Sequence, residues 1–123
     1  DGNAEWVQTV GEEWVGYMRR KRPRARTWLA SQGGRPVGFF SEFVEDGLGL
    51  LEDLYVHPAA RERGVAPALV AHCVREARRR GAQAVFLTAR AWDTPKQMYA
   101  KMGFRPAAIT QHWLAPEGRA RGA

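Results

Sequence analysis

Glu52 and Asp53 are adjacent carboxylates inside an otherwise apolar run that extends from Leu48 to Val56, and either could take a proton from an ammonium group as a general base. Side chains alternate along an extended strand, so the two acids are expected to face opposite ways, with only one reaching a given cleft. Solvated or ion-paired acids would need no such role. Tyr99 offers a phenol of pKa about 10, matched to protonating a leaving group of similar basicity. Set between Met98 and Met102 at one-turn spacing, it could equally be a core aromatic. The third feature is Arg61-Glu62-Arg63-Gly64-Val65-Ala66, a short loop between a strand and a helix. At such a place the free N–H groups of the first helical turn converge and the helix dipole adds positive potential. A glycine lets backbone approach an anion without a Cβ in the way. An ordinary turn is the plain alternative.

Other reactive types carry less. His57, His72 and His112 are scattered and Cys73 is the lone cysteine, so neither a metal-ligand spacing nor an internal disulfide is available. Cys73 falls on the apolar face of a helix and reads as core. His72 is expected on a solvent-facing turn of the same helix. The five tryptophans could line an acceptor pocket, although most are expected in the core.

The elements that must position these residues follow from periodicity. Trp6, Val7, Val10, Trp14 and Met18 recur at helical spacing, with Glu5, Glu12 and Glu13 early and Arg19, Arg20 and Arg22 late, the order that suits a helix dipole. Pro23 ends that helix. Strands are expected over 27–30, 36–44 and 48–56, joined by turns at Gly33-Gly34 and Asp46-Gly47, which makes a meander. A helix then begins near Pro67, with Leu69, Val70, Cys73, Val74 and Ala77 on one face, and Gly81 stops it. Residues 84–88 read as a short buried strand reached by a crossover helix. Thr94-Pro95 opens a last helix closed by Gly103, and 109–114 is expected to be a final strand. Residues 1–115 are read as a single domain and 116–123 as a disordered tail.

Composition narrows the function classes. With 45% hydrophobic and 26% charged residues a packed core is expected. No apolar run approaches the roughly 20 residues of a membrane helix, and no leader-like segment starts the chain, which reads as cytoplasmic. The net charge of +6 comes from sixteen Arg and three Lys that are scattered rather than clustered. That pattern argues against a nucleic-acid surface but suits steering of a polyanionic small ligand.

Taken in register, these segments resemble the Gcn5-related N-acetyltransferase (GNAT) superfamily. Its pyrophosphate loop reads Gln or Arg, two residues, Gly, one residue, then Gly or Ala, and Arg61, Gly64 and Ala66 fit. The stretch Leu51-Glu52-Asp53-Leu54-Tyr55-Val56-His57-Pro58 is similar to the fourth strand and its exit. Met98-Tyr99-Ala100-Lys101-Met102-Gly103-Phe104 looks like the closing helix. The resemblance runs from about Arg26 to Trp113, and its Leu-Glu-Asp start is similar to the polyamine and diamine acetyltransferases. Two departures stand out. Pro67 removes one potential phosphate donor, and Trp92-Asp93 stands where members often carry an Asn, so Asp93 is read as a helix-start residue.

The resemblance implies an α/β (α+β) fold with a mixed, mostly antiparallel sheet flanked by helices, from which the family's N-terminal strand is missing. It implies transfer of acetyl from acetyl-CoA to a primary amine of a small molecule or peptide, by direct attack in a ternary complex and without a metal. Leu54, Tyr55, Val56, Arg61, Glu62, Arg63, Gly64, Val65 and Ala66 would hold the donor, with His57 beside the cofactor exit. Glu52 would act as base, Asp53 would orient the acceptor and Tyr99 would protonate the thiolate. A bulge often found in the fourth strand can upset the alternation of its acids. The alternatives are a non-catalytic acyl-CoA-binding module, which would need neither the acids nor Tyr99, and a basic nucleic-acid-binding domain. The edge of the first strand would be open, so a homodimer or fusion to a further domain of a longer polypeptide is expected.

Overall fold

In a computed structural model of the chain, residues 2–90, 92 and 95–116 are described, with side chains from Gln8 onward. The expectations for the side chains of Glu5, Trp6 and Val7, for Asp93 and Thr94, and for the tail beyond Pro116 lie outside the described residues. The chain forms two compact units, Asp1–Asp93 and Thr94–Ala123.

The first unit opens with α1 (Gly2–Arg20), whose last turn carries Arg19 and Arg20 where the dipole favours cations. The helix stops before Pro23, and Lys21 N–H donates back to the Met18 carbonyl. Three antiparallel strands follow: β1 (Ala25–Gln32), β2 (Arg35–Glu45) and β3 (Leu48–Val56). Both hairpin turns have positive φ at their two central residues, Gly33-Gly34 and Asp46-Gly47, the geometry that matches strand twist. A short 3-10 turn, Pro58–Ala60, leads to α2 (Val65–Arg79), which crosses back to β4 (Ala84–Leu87), parallel to β3. The sheet order is β1-β2-β3-β4, the mixed and mostly antiparallel arrangement expected, and the outer edge of β1 has no strand partner among the described residues. The helix α2 starts at Val65 rather than near Pro67. Pro67 therefore falls in the first turn, where a missing N–H interrupts no helical bond.

The core lies between α2 and the sheet. Phe40, Val70 and Cys73 are fully buried there, as expected for Cys73. The helix approaches so closely that a Cβ on Gly49 would lie 2.9 Å from the Ala77 Cβ. His72 is half-buried rather than on a fully solvent-facing turn. Its ring meets Trp28 edge-on at 4.7 Å, because the β1 edge brings an indole within reach of a turn that one-helix periodicity assigns to water. The deepest charge is Glu42 on β2, 0% exposed, which takes the Arg80 guanidinium at 2.9 Å. Arg80 also donates to the Pro23 and Arg24 carbonyls, tying the end of α2 to β2 and to the turn after α1. Burial, reinforced by the Glu42 carboxylate, pushes the Cys73 thiol up to about 12, which makes it an inert packing group.

The second unit contains α3 (Pro95–Lys101), closed at Gly103, where φ is +96° and Phe104 N–H donates to the Tyr99 carbonyl. The expected strand at 109–114 does not form, since 104–116 has no regular structure. Ile109, Trp113 and Leu114 are 96%, 87% and 95% exposed. An apolar, β-prone run becomes a strand only when another strand pairs with it, and the second unit has none among its described residues.

Replacing Arg80 with Met keeps the apolar stem and leaves Glu42 buried without its cation. Urea unfolding should show a loss of about 3–5 kcal/mol. A stability close to that of the parent would mean that water reaches Glu42 in place of Arg80.

Candidate functional site

The site is organised by an irregularity in β3. Phe39 pairs with Tyr55 and Ser41 with Glu52, so two steps along β2 are matched by three along β3. The additional residue is absorbed at Asp53, whose φ of +52° is left-handed. Asp is one of the few residue types with a side chain that tolerates that region. The bulge resets the alternation of β3: Leu51 and Val56 are both buried although five positions apart. The expectation that the acids face opposite ways is therefore corrected, because both turn to one side of the sheet, Asp53 toward α1 and Glu52 toward the turn that follows it. Glu52 Oε2 accepts from Lys21 Nζ at 2.9 Å, and Asp53 Oδ2 lies 3.4 Å from the Trp14 indole nitrogen.

Aromatic rings continue this face. Trp14 of α1 meets Phe39 at 5.7 Å between centroids, and Phe39 meets Tyr55 at 5.8 Å. Such a row, bordered by carboxylates, favours a cation through the ring faces. The Lys21 ammonium already sits 4.7 Å from the Tyr17 ring centre and 5.1 Å from that of Phe43. Burial works against its charge, but hydrogen bonds to Glu52 and Tyr17 prevail and raise its pKa from 10.5. Its stabilising effect is present at neutral pH and fades as pH climbs above 10.5 through the raised value.

Beyond Leu51 the strand loses its neighbour. Pairing with β4 runs from Leu48↔Ala84 to Leu51↔Leu87 and stops, so 52–56, including Leu54, Tyr55 and Val56, has an edge with no strand partner among the described residues. This edge leads into the loop. The Arg61 Nε donates to the Val56 carbonyl at 3.0 Å and its guanidinium lies 5.9 Å from the Tyr55 ring centre, so Arg61 fastens the loop to β3. Glu62 has φ +62° and Arg63 is exposed. Gly64 caps α2 in the left-handed region at φ +80°, and a Cβ built on it meets nothing within 4 Å. The helix has no side-chain cap and no acid in its first turn. The N–H groups of Val65 and Ala66 are thus offered to an outside anion, with one donor removed by Pro67. These features fit the pantetheine chain and pyrophosphate of a CoA molecule.

In the second unit Tyr99 packs edge-on against Phe104 at 6.0 Å, and burial pushes its phenol pKa up. His57 caps the 3-10 turn by accepting the Ala59 N–H. Among the described residues the tryptophans are not mostly core: Trp92 and Trp113 are 79% and 87% exposed, Trp14 lies beside Asp53, and Trp28 lines a groove of about 470 Å³ between β1 and α2. Lys21 and Phe39 were not singled out as site residues by sequence, and Trp14 was named only as one of five tryptophans that could line an acceptor pocket, because nothing in a single helix or strand shows that they meet across the α1 side of the sheet. Among the described residues, no group of three or more His, Cys, Asp and Glu could hold a metal, and no helix is long and apolar enough to cross a membrane.

Residues 3–104 match the sequence model of the acetyltransferase (GNAT) family. A search of curated proteins finds no match to the chain. Solved structures do resemble it. An acetyltransferase of Trypanosoma brucei is 27% identical, with 82% of this chain and 75% of that one covered at a TM-score of 0.69. An aminoglycoside acetyltransferase from an uncultured soil metagenomic sample is 25% identical, with 82% and 74% covered at 0.70. The aminoglycoside N-acetyltransferase AAC(6')-Iy in complex with CoA shares the fold at 21% identity, with 89% and 95% covered and a TM-score of 0.70.

The left-handed residue in β3 can be probed directly. Asp53→Val should be less stable than Asp53→Gly by about 1–2 kcal/mol in urea unfolding, because a β-branched residue resists positive φ. Equal stabilities would show that β3 straightens and that the bulge is not fixed by its surroundings.

Proposed function

Because this chain belongs to the acetyltransferase (GNAT) family, we propose that it passes an acetyl group directly from acetyl-CoA to a primary amine on a small acceptor molecule, with both bound at once. It is an acetyl-CoA-dependent N-acetyltransferase, and the finer features are the acceptor, the residue roles and the order of events. The observation that carries the reading is the bulged end of β3, whose unpaired edge runs straight into the uncapped start of α2.

In this reading the pantetheine chain lies along 52–56 as though it were another strand, and the pyrophosphate rests on the N–H groups at Gly64, Val65 and Ala66. Arg63 adds charge there, while Arg61 and Glu62 shape the loop. A backbone N–H near Leu54 polarises the thioester carbonyl as a preorganised donor. Glu52 takes the acceptor's proton, directly or through water, and Asp53 orients the acceptor from the same face. The tetrahedral centre then collapses with release of the CoA thiolate. Tyr99 is the proposed proton source for that thiolate; its phenol is protonated at neutral pH, and burial raises its pKa further.

The acceptor face supports an amine-bearing small molecule, the class that includes the aminoglycosides named for two of the similar structures. Its Trp14, Phe39 and Tyr55 rings suit a cationic ligand. The open outer edge of β1 supports pairing with a second copy of the chain.

A panel of amines with acetyl-CoA, followed by free thiol release, should identify acceptors that the parent protein turns over. Gly64→Asp places a carboxylate where the pyrophosphate rests, and calorimetric titration of the folded variant should show CoA binding weakened by more than about tenfold. Parent-like affinity in that variant would remove the loop from the donor site.

A further inference from the structure

Lys21 occupies an unusual place for one of only three lysines. The turn after α1 delivers its ammonium to Glu52 at 2.9 Å, with the lysine side chain 19% exposed, whereas Lys96 and Lys101 are exposed. An amine that Glu52 is to deprotonate must lie within hydrogen-bond reach of that carboxylate. The Lys21 Nζ already meets this condition, on the side of β3 to which the bulge turns both acids. The rings of Tyr17 and Phe43 hold it there.

We propose that Lys21 is itself an acetyl acceptor, so that the chain modifies its own acceptor side in a reaction that needs no other amine. The proposal rests on the acetyl-transfer reading above. The Lys21 ammonium gives one proton to Glu52, directly or through water, and the neutral Nζ attacks the carbonyl carbon of the acetyl-CoA thioester. The new N–C bond forms, the C–S bond breaks, and CoA leaves as a thiolate that takes up a proton. The products are Nε-acetyl-Lys21 and free CoA. The amide that replaces the ammonium carries no charge, so Glu52 loses its ion-pair partner and becomes available to an external ammonium. Modification thereby changes which amines this face accepts. Because the ion pair favours the charged lysine, the reaction is slow at neutral pH and accelerates as pH rises toward the raised pKa of Lys21.

The test is incubation of the full chain with acetyl-CoA, followed by intact mass and peptide mapping over time. Uncatalysed acetylation favours accessible amines, so Lys96 and Lys101 serve as controls within the same molecule. The expected result is acetylation of Lys21 at least about tenfold faster than of either, at a rate independent of protein concentration. Glu52→Gln should slow it at least about tenfold, even though that variant frees Lys21 from its ion pair. Lys21 modified no faster than Lys96 and Lys101, in protein that releases thiol with an external amine, would overturn the proposal. Faster Lys21 acetylation in Glu52→Gln would overturn it as well. Failure to bind CoA or to release thiol with any amine would overturn the acetyl-transfer reading itself, and this proposal with it.

Discussion

One residue more than the ladder can accommodate sits in β3, and most of what makes this sheet a site follows from it. The additional residue at Asp53 turns two consecutive carboxylates to one face, where regular alternation would have separated them. Just before it, β4 runs out opposite Leu51, leaving the second half of β3 with no strand partner on that edge among the described residues. A regular strand paired along its whole length would satisfy its own backbone and present one acid per face. Here the edge without a strand partner and the two neighbouring acids occur over the same few residues, and in the proposed reading that coincidence gives a donor and an acceptor adjacent places.

Charge is distributed to protect this arrangement. The deepest acid, Glu42, is neutralised by Arg80, which also gathers two carbonyls from the turn after α1, so the scaffold behind the sheet is closed by one guanidinium. The acids on the other face have weaker commitments. Glu52 shares a partly exposed ion pair, and Asp53 has a long contact to an indole N–H. At the start of α2 the reverse holds: no acid and no cap compete for the free N–H groups. The net positive charge of the chain favours a polyanionic donor reaching that end.

Much of this was legible in the sequence, and what was not legible has a common cause. The meander, the crossover and the glycine loop follow from local signals, namely turn glycines, apolar periodicity and helix punctuation, and all three are present. The bulge could not be located from composition, because Leu-Glu-Asp-Leu-Tyr-Val reads as an ordinary strand until β2 fixes its register. For the same reason 109–114 reads as a strand, since its β propensity is real but its partner is not supplied by neighbouring residues. His72 and Lys21 were misjudged or overlooked because their surroundings come from β1 and β3, far away along the chain. Residue types indicate what chemistry is possible, whereas register and packing decide which groups meet.

The central claim is that CoA joins the sheet along the unpaired part of β3 and anchors at the start of α2. Amide hydrogen exchange with and without CoA addresses it residue by residue, under conditions where calorimetry shows the ligand bound. Slower exchange at 52–56 and at 64–66, with little change along β1 and β2, which lie on the other side of β3 from that edge, is the predicted pattern. Saturating CoA with no added protection along 52–56 would contradict the account, since the donor would then be held somewhere other than the edge of β3 beyond the end of β4.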